Sequence, residues 1–263
     1  MGRHILGLVL KDGEVEITHG YTIPESKNIG MDIGTFAGVK PLGVKIRSIN
    51  DLETDLENHK LDVFIDFTVA PATEENAYKI IKKEIPMVIG TTGLSKKFQV
   101  DMGNLSEEKN VPLVISTNMA IGVNVVFEMV KELAKRLRGW EIEIIEKHHH
   151  RKQDAPSGTA LTIASNISDA IGVELDEVAK YGRNKGPNPR KHGNQEIGIH
   201  SVRAGDIVGD HTILYAGNGE RIEFKHQAHS RECFASGAIE AAKFLQRKKG
   251  QSGIFTMKDV LNL

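Results

Sequence analysis

The amino-acid sequence predicts an α/β fold, in which a Rossmann-like doubly wound parallel sheet precedes a second, α+β domain. Three observations support this class. Short apolar runs alternate with helical patterns in the first half of the 263-residue chain, which is typical of βαβ units. Aromatic residues make up only 5% of the chain, so aliphatic side chains must fill the core, as parallel sheets favour. Three closely spaced strand patterns in the second half indicate an antiparallel sheet.

The patterns of the first half follow one another in a regular order. The chain opens directly on an apolar helical pattern, and residues 23–43 are rich in glycine and predicted to form a loop. The strand–helix–strand order predicts right-handed crossovers and therefore helices on both faces of the sheet. We expect strands over 14–21, 61–67, 87–90 and 112–116, and helices that begin near residue 50 and that cover 71–84 and 96–110.

The second half starts with helical patterns and ends with strand patterns and one further helix. Asn218-Gly219 separates the last two strand patterns and predicts a tight hairpin turn. The polar stretch 180–194 is predicted to be an exposed loop that serves as a lid or as an oligomer contact. We expect helices over 121–137, 157–171 and 232–248, and strands over 141–147, 195–202, 206–216 and 220–229.

Charge and composition argue against several classes of protein. The chain has 34 Lys and Arg residues against 35 Asp and Glu residues, a net charge of −1, which disfavours nucleic-acid and membrane-surface binding. No apolar run approaches the roughly 18 residues that a membrane span requires. Cys233 is the one cysteine, so no intramolecular disulfide can form, which is typical of a reducing compartment. No targeting signal is recognisable, and we expect a cytoplasmic protein.

The stretch that begins at Glu146 carries the strongest chemical signal in the chain. It has the sequence EKHHHRKQDAPSGTA and places six cationic or potentially cationic side chains beside a predicted helix start. Ser157 is a good N-cap residue, and the following amides of Gly158 and Thr159 have no partner inside the helix. With the helix dipole, these groups predict a site for a carboxylate or phosphate. His and Lys side chains also supply protons near neutral pH.

Two other interpretations of this stretch stay open. A charged run is often a solvated face, and a Ser-Gly-Thr helix start is common. A metal site is disfavoured because neighbouring residues of a strand face opposite ways, with His148 and His150 on one side and His149 on the other. The remaining histidines considered show no familiar metal-site spacing, so we predict no metal; they are His192, His200, His211, His226 and His229.

Two turns that follow predicted strands are suited to contact a cofactor. Gly90-Thr91-Thr92-Gly93 follows one strand, and Ser116-Thr117-Asn118-Met119 follows the next. Ligands of doubly wound sheets bind beyond the carboxyl ends of the strands, where small hydroxyl residues let a cofactor lie against the backbone. No G-x-G-x-x-G sequence lies on a strand-to-helix turn, although this is the usual dinucleotide fingerprint.

These motifs resemble the dihydrodipicolinate reductase family. The resemblance is carried by EKHHHRKQDAPSGTA, by GTTG at 90–93, by STNMAIGVN at 116–124 and by VRAGDIVGDHT at 202–212. It implies a dinucleotide-binding domain of residues 1–119 and 230–263, and a substrate-binding and oligomerisation domain of residues 120–229. It also implies that NADPH or NADH reduces 4-hydroxy-tetrahydrodipicolinate to tetrahydrodipicolinate with loss of water, in lysine and diaminopimelate biosynthesis. A homotetramer and a dicarboxylate substrate are further implications of the resemblance.

The resemblance also implies roles for individual residues. His148 is the implied proton donor or acceptor and Lys152 an implied proton donor. His149, Gly158 and Thr159 are implied to hold the substrate carboxylates. The implied cofactor contacts are Met1, Gly90, Thr91, Thr92, Ser116, Thr117, Asn118 and Met119.

The chain departs from the family pattern in two places. Of a glycine turn that reads G-x-x-G-R-M-G in the family, only Met1-Gly2 is present, so we expect the first strand to be missing and cofactor binding to be weak. The family often has an acid for the adenosine ribose where this chain has Thr22, which leaves the choice between NADPH and NADH open, with a slight preference for NADPH. Two alternatives are another two-domain oxidoreductase, such as an amino-acid dehydrogenase, and a non-catalytic nucleotide sensor.

Overall fold

The computed structural model describes residues 1–58, 60–190 and 195–263. The chain divides into two compact units, one of residues 1–121 and 232–262 and the other of residues 122–231 with Leu263. Residues 191–194 of the predicted loop, including His192, lie outside the described residues. In the described part of the chain, no helix is both long enough and apolar enough to cross a membrane.

The helices and strands are numbered in chain order. The helices are α1 (Gly2–Val9), α2 (Ile33–Ala37), α3 (Leu52–Asn58), α4 (Ala70–Lys82), α5 (Lys96–Lys109), α6 (Ile121–Arg136), α7 (Gly158–Ile171), α8 (Leu175–Val178), α9 (Glu232–Arg247) and α10 (Met257–Leu261). The strands are β1 (Gly20–Thr22), β2 (Ile46–Ser48), β3 (Phe64–Asp66), β4 (Met87–Ile89), β5 (Pro112–Ile115), β6 (Glu141–His148), β7 (Ala179–Tyr181), β8 (Ile197–Arg203), β9 (Gly209–Gly217), β10 (Glu220–Ala228) and β11 (Gly253–Phe255).

The first unit contains the predicted parallel strands. They form a two-stranded sheet of β1 and β2 and a four-stranded sheet in the order β11-β5-β4-β3. Met87 and Ile89 of β4 pack with α3, α4 and α5 in one apolar cluster. Val88 points the other way, because side chains alternate along a strand, and packs with α9 and α10 in a second cluster. Helices therefore cover both faces, and the predicted doubly wound parallel sheet is confirmed.

The second unit contains a five-stranded sheet in the order β10-β9-β6-β8-β7. The pairs β10–β9 and β9–β6 are antiparallel, and the first of them is the predicted hairpin. The pairs β6–β8 and β8–β7 are parallel, which makes the sheet mixed. Helices α6 and α7 pack on one face of it, around the fully buried Tyr215, whose hydroxyl donates to the carbonyl of Val130 at 2.9 Å. The side chains of β6 alternate between buried and partly exposed, so its even-numbered residues face these helices.

Several boundaries differ from the sequence prediction. The strand expected over 14–21 forms only at β1, and the loop expected over 23–43 contains α2, whose N-cap Asp32 accepts hydrogen bonds from two helix amides. Strands β2, β7 and β11 were not predicted, because three-residue strands are too short to show a periodic pattern. The hairpin prediction is confirmed, since Gly217 pairs with Glu220 across the two-residue turn and Gly219 has a φ of +85°.

The predicted exposed loop 180–194 is partly attached to the sheet. Its first residues belong to β7. Arg190 Nη1 donates to Glu143 Oε1 at 2.7 Å, and the Arg183 guanidinium forms ion pairs with Glu143 and Glu196. These ion pairs restrain residues 183–190, so free lid movement is not expected of that part of the loop.

Candidate active site

The turn after β6 holds the first group of predicted site residues. β6 ends at His148, and the next residues bond to the loop that follows β8. His149 N donates to Ile207 O at 2.8 Å, and His150 N donates to Gly205 O at 3.2 Å. The expected alternation of His149 and His150 along a strand is therefore wrong, because the strand has already ended.

Glu146 is a fully buried carboxylate that the sequence analysis assigned no role. Arg203 binds both of its oxygens, with Nη1 at 2.8 Å from Oε2 and Nη2 at 2.7 Å from Oε1. The amide of Ser157 donates to Oε1 at 3.2 Å. Burial by itself would raise the pKa of Glu146, but hydrogen bonds from Arg203, Ser201 and His148 outweigh burial and lower this pKa to about 2. Glu146 is therefore ionised throughout the neutral range.

His148 is the predicted catalytic histidine and lies two residues further along the same face. Its side chain is nearly buried, and Nδ1 lies 2.5 Å from Glu146 Oε2. Burial lowers the pKa of His148, while the Glu146 carboxylate opposes this shift. The net shift of the His148 pKa is downward, which favours the neutral imidazole. An ionised carboxylate can only accept hydrogen bonds, so Nδ1 is placed to donate to Glu146 and Nε2 is the nitrogen left for another partner.

His211 on β9 connects His148 to the start of α7. Its ring meets the His148 ring edge to face, with 5.3 Å between the centroids. His211 Nε2 lies 3.2 Å from Ser157 Oγ, and burial together with nearby His148 lowers the pKa of His211 to about 4. Within the described residues, no group of three or more His, Cys, Asp or Glu side chains is arranged to hold a metal ion.

Lys152, the second predicted catalytic residue, forms an ion pair with Asp154. Lys152 Nζ lies 2.8 Å from Asp154 Oδ1. Burial would raise the pKa of Asp154, but Lys152 and backbone amides that include Gly158 lower it. Asp154 was missed in the sequence analysis, although an acid a few residues before a helix start is a common sign of a local partner for the helix amides.

The start of α7 has the predicted N-cap, and the chain's own Asp154 lies beside it. Ser157 Oγ accepts from Ala160 N at 3.2 Å, as expected of an N-cap. The amide of Gly158, however, interacts with the chain's own Asp154 carboxylate, and Thr159 also has an interaction partner. The Asp154 carboxylate therefore lies near the first amide of α7, and the anion site at Gly158 and Thr159 stays a prediction.

The two predicted cofactor turns lie together in the first unit. Ile89 of β4 pairs with Ile115 of β5, and Ser116 N donates to Ile89 O at 3.1 Å, so the turns at 90–93 and 116–119 share one edge of the sheet. Thr92 and Thr117 are exposed there. These exposed hydroxyls, at the carboxyl ends of neighbouring parallel strands, fit a nicotinamide cofactor.

Other residues of these turns have structural partners. Thr91 is buried, and its Oγ1 accepts from Thr73 Oγ1 at 2.8 Å. A Cβ atom at Gly90 would lie 2.2 Å from the Phe67 ring, so the packing of Phe67 itself requires a glycine. Asn118 accepts from Ala120 N at 2.9 Å through Oδ1, which stabilises the turn that leads into α6.

Met1, the remaining predicted cofactor contact, is the N-cap of α1, which has no side-chain cap. Contacts of α1 are mainly with α9 and α2. A cavity of about 700 Å³ lies elsewhere in this unit, next to β1 and β2, and is lined by both acidic and basic side chains, including Glu16, Lys45 and Asp51. None of the predicted site residues lines this cavity.

Comparison with known proteins identifies relatives over the whole chain. A family model described as dihydrodipicolinate reductase, N-terminus, matches residues 1–119, and one described as dihydrodipicolinate reductase, C-terminus, matches residues 122–261. A 4-hydroxy-tetrahydrodipicolinate reductase of Methanosarcina barkeri is 46% identical over 263 residues, which are 100% of this chain and 95% of the relative. The enzyme of the same name from Methanocaldococcus jannaschii is 41% identical over 100% of this chain and 94% of its own.

A solved structure shares the fold. Dipicolinate-bound dihydrodipicolinate reductase from Paenisporosarcina sp. TG-14 superposes with a TM-score of 0.73 at 24% sequence identity, covering 97% of this chain and 92% of that chain. The family models together span nearly all of the sequence, and the relatives exceed 40% identity over its full length. This chain therefore belongs to the dihydrodipicolinate reductase family.

Proposed function

We propose that this protein reduces 4-hydroxy-tetrahydrodipicolinate to tetrahydrodipicolinate, as part of lysine and diaminopimelate biosynthesis. One hydride and one proton enter the substrate, and its 4-hydroxyl group leaves as water. A bound NADPH or NADH supplies the hydride. The observation that carries the proposal is the cluster of the buried Glu146–His148 pair, Lys152 and the start of α7 in a chain whose full-length relatives have this name.

Substrate binding is proposed at the start of α7. The Asp154 carboxylate lies beside Lys152 and the Gly158 amide, so this position already accommodates one carboxylate. We infer that a carboxylate of the substrate replaces Asp154 and contacts Gly158, Thr159 and His149. This exchange releases Lys152 from its ion pair only when substrate is present. The solved relative with bound dipicolinate is consistent with a dicarboxylate ligand.

Proton transfer is assigned to His148 and Lys152. Nε2 of His148 is the exchangeable position, because Nδ1 is bound to Glu146. The Lys152 ammonium donates a proton once it leaves Asp154, and His148 accepts or returns a proton at Nε2. Burial of His148 keeps bulk water from this position and strengthens its electrostatic interactions.

The cofactor is assigned to the first unit. Thr92 and Thr117, together with the backbone of their turns, are suited to contact the nicotinamide. The uncapped N-terminal amides of α1, next to Met1, are suited to bind the pyrophosphate, because helix N-termini attract anions. Thr22 ends β1 without a carboxylate, so no charge there repels a 2′-phosphate, and we propose that NADPH is preferred.

We also propose that the protein assembles into a homotetramer in the cytoplasm. Val202 on β8 and Ile222 on β10 are each 39% exposed, and exposed apolar side chains on a sheet are suited to contact another subunit. Residues 120–229 are proposed to form the substrate-binding and oligomerisation domain. Light scattering of the purified protein across concentrations tests the assembly.

The test of function is NADPH oxidation with substrate generated in place by the preceding synthase. We expect oxidation that depends on substrate and that falls steeply in His148→Gln. His200→Gln is the matched control, because His200 also hydrogen bonds to a glutamate of the same sheet, Glu143, but is outside the proposed site. Oxidation of amino acids with NADP⁺, in the absence of activity on the generated substrate, would instead support an amino-acid dehydrogenase.

A further inference from the structure

Strand β6 ends with an acid and a histidine on the same buried face. Glu146 and His148 are two residues apart, so their side chains point the same way. Glu146 is fully buried and His148 is 8% exposed. A buried carboxylate destabilises the fold unless each oxygen is paired. The partners of Glu146 therefore indicate its role.

Several partners hold the Glu146 carboxylate beside His148. Oε2 accepts from His148 Nδ1 at 2.5 Å and from Arg203 Nη1 at 2.8 Å. Oε1 accepts from Arg203 Nη2 at 2.7 Å and from Ser157 N at 3.2 Å. The bidentate arginine fixes the plane of the carboxylate, and the amide at the start of α7 fixes its position along the strand.

Arg203 also connects the carboxylate to the segment that holds Lys152. Its Nη2 donates to the carbonyl of Asp154 at 2.6 Å, and its Nη1 donates to the carbonyl of Val202 at 2.8 Å. The same guanidinium therefore orients Glu146 and anchors the chain beside the Lys152–Asp154 ion pair. Arg203 therefore contacts both the partner of His148 and the segment that carries Lys152.

We propose that Glu146, held by Arg203, is a positioning residue that fixes the Nδ1–H tautomer of His148 and so directs Nε2 toward the reacting molecule. This inference rests on the proposed function for its catalytic meaning, but the tautomer itself is a property of the protein alone. Glu146 does not touch the substrate in this proposal and acts through His148.

The charged groups around His148 make the effect of the carboxylate predictable. Glu146 favours the protonated imidazole, whereas Lys152 and Arg203 disfavour it. His211 packs against the ring from β9 and is itself neutral near pH 7. Removing the negative charge of Glu146 leaves burial, Lys152 and Arg203, which oppose protonation, so we expect His148 to titrate at a lower pH.

The experiment is a titration of the full-length protein labelled with ¹⁵N-histidine, with the His148 signal assigned by its loss in His148→Gln. Wild-type protein should show Nδ1–H, and Glu146→Gln should move the titration of His148 to lower pH. The pH dependence of kcat should shift in the same direction, and kcat should fall about tenfold or more with little change in KM. Glu146→Asp keeps the negative charge. In this variant, His148 should titrate at a pH between those of the wild type and Glu146→Gln, and part of kcat should be recovered.

Glu143→Gln is the matched control, since Glu143 is also a β6 carboxylate bonded to a histidine and to arginines; it should leave His148 unchanged. If Glu146→Gln does not fold, the double variant Glu146→Gln/Arg203→Met avoids an unpaired buried charge and should shift the titration of His148 in the same direction by less, because Arg203 also disfavours the protonated imidazole. An Nε2–H tautomer in the wild type, or an unchanged titration of His148 in the variant, would overturn the proposal. Absence of reductase activity in the wild type would contradict the proposed function but leave the tautomer result interpretable.

Discussion

Gly237 of α9 offers a sharp test of how the core supports the proposed cofactor turn. A Cβ atom at this glycine would lie 1.7 Å from the carbonyl oxygen of Met119 and 2.8 Å from its carbonyl carbon. These are backbone atoms, so Gly237→Ala requires α9 or the 116–119 turn to move by about 1 Å or more. Replacing glycine by alanine in a helix stabilises it by about 1 kcal/mol. Overpacking of a tight core typically costs about 1–3 kcal/mol, and a contact of 1.7 Å places Gly237→Ala near the upper end of that cost.

We therefore expect Gly237→Ala to lower the free energy of unfolding by about 1–2 kcal/mol in urea denaturation. NADPH binding, followed by fluorescence titration, should weaken as well, because Met119 belongs to the second cofactor turn. Gly103→Ala in α5 is the matched control, since its added Cβ would have only Ile254 nearby, at 3.7 Å, and it should raise the stability by about 0.5–1 kcal/mol. Equal stabilisation by the two substitutions would refute the steric reasoning.

Three further predictions concern the second unit. His148→Gln and Lys152→Ala should each lower kcat by about 10²–10⁴ with folding intact; near-normal turnover in both would contradict their assigned roles. The pKa of Glu146 lies at about 2 in place of 4.5, so the stability it contributes is present above pH 4.5 and is lost as the pH falls toward 2. This amounts to about 3 kcal/mol, and the pH dependence of unfolding should be correspondingly flatter in Glu146→Gln than in the wild type. Tyr215→Phe removes the hydrogen bond to Val130 and should cost about 1 kcal/mol in urea denaturation; an unchanged midpoint would contradict this.

Much of the fold could be predicted because its signals are local. The apolar runs at β4 and β5, the Ser157 cap and the Asn218-Gly219 turn each depend on a few adjacent residues. Strand β11 was missed because three residues carry no period, and it exists only because β5 offers an edge for it to pair with. The parallel pairing of β6 with β8 likewise depends on which distant strand reaches that edge.

Some features of the candidate site could also be predicted from adjacent residues, whereas others depend on distant parts of the chain. His148, Lys152 and Gly158 stand out in the sequence because cationic side chains and a helix start are adjacent in one stretch. The sequence also holds a signal for Glu146, an acid two residues before His148 in an apolar strand. Arg203, which lowers the pKa of Glu146 and orients its carboxylate, is 57 residues away in the sequence. Only the pairing of β8 with β6 brings Arg203 next to Glu146.

The sequence by itself determined the order of most of the longer strands and helices, the helix start at Ser157 and the chemical character of the residues that follow β6. These follow from backbone preferences and from the spacing of side chains over a few residues. Only the tertiary structure decided that Glu146 is buried and ionised, that its carboxylate lies against Nδ1 of His148, and that Asp154 lies near the start of α7. The physical reason is that charge state and tautomer depend on burial and on partners that folding brings from distant parts of the chain.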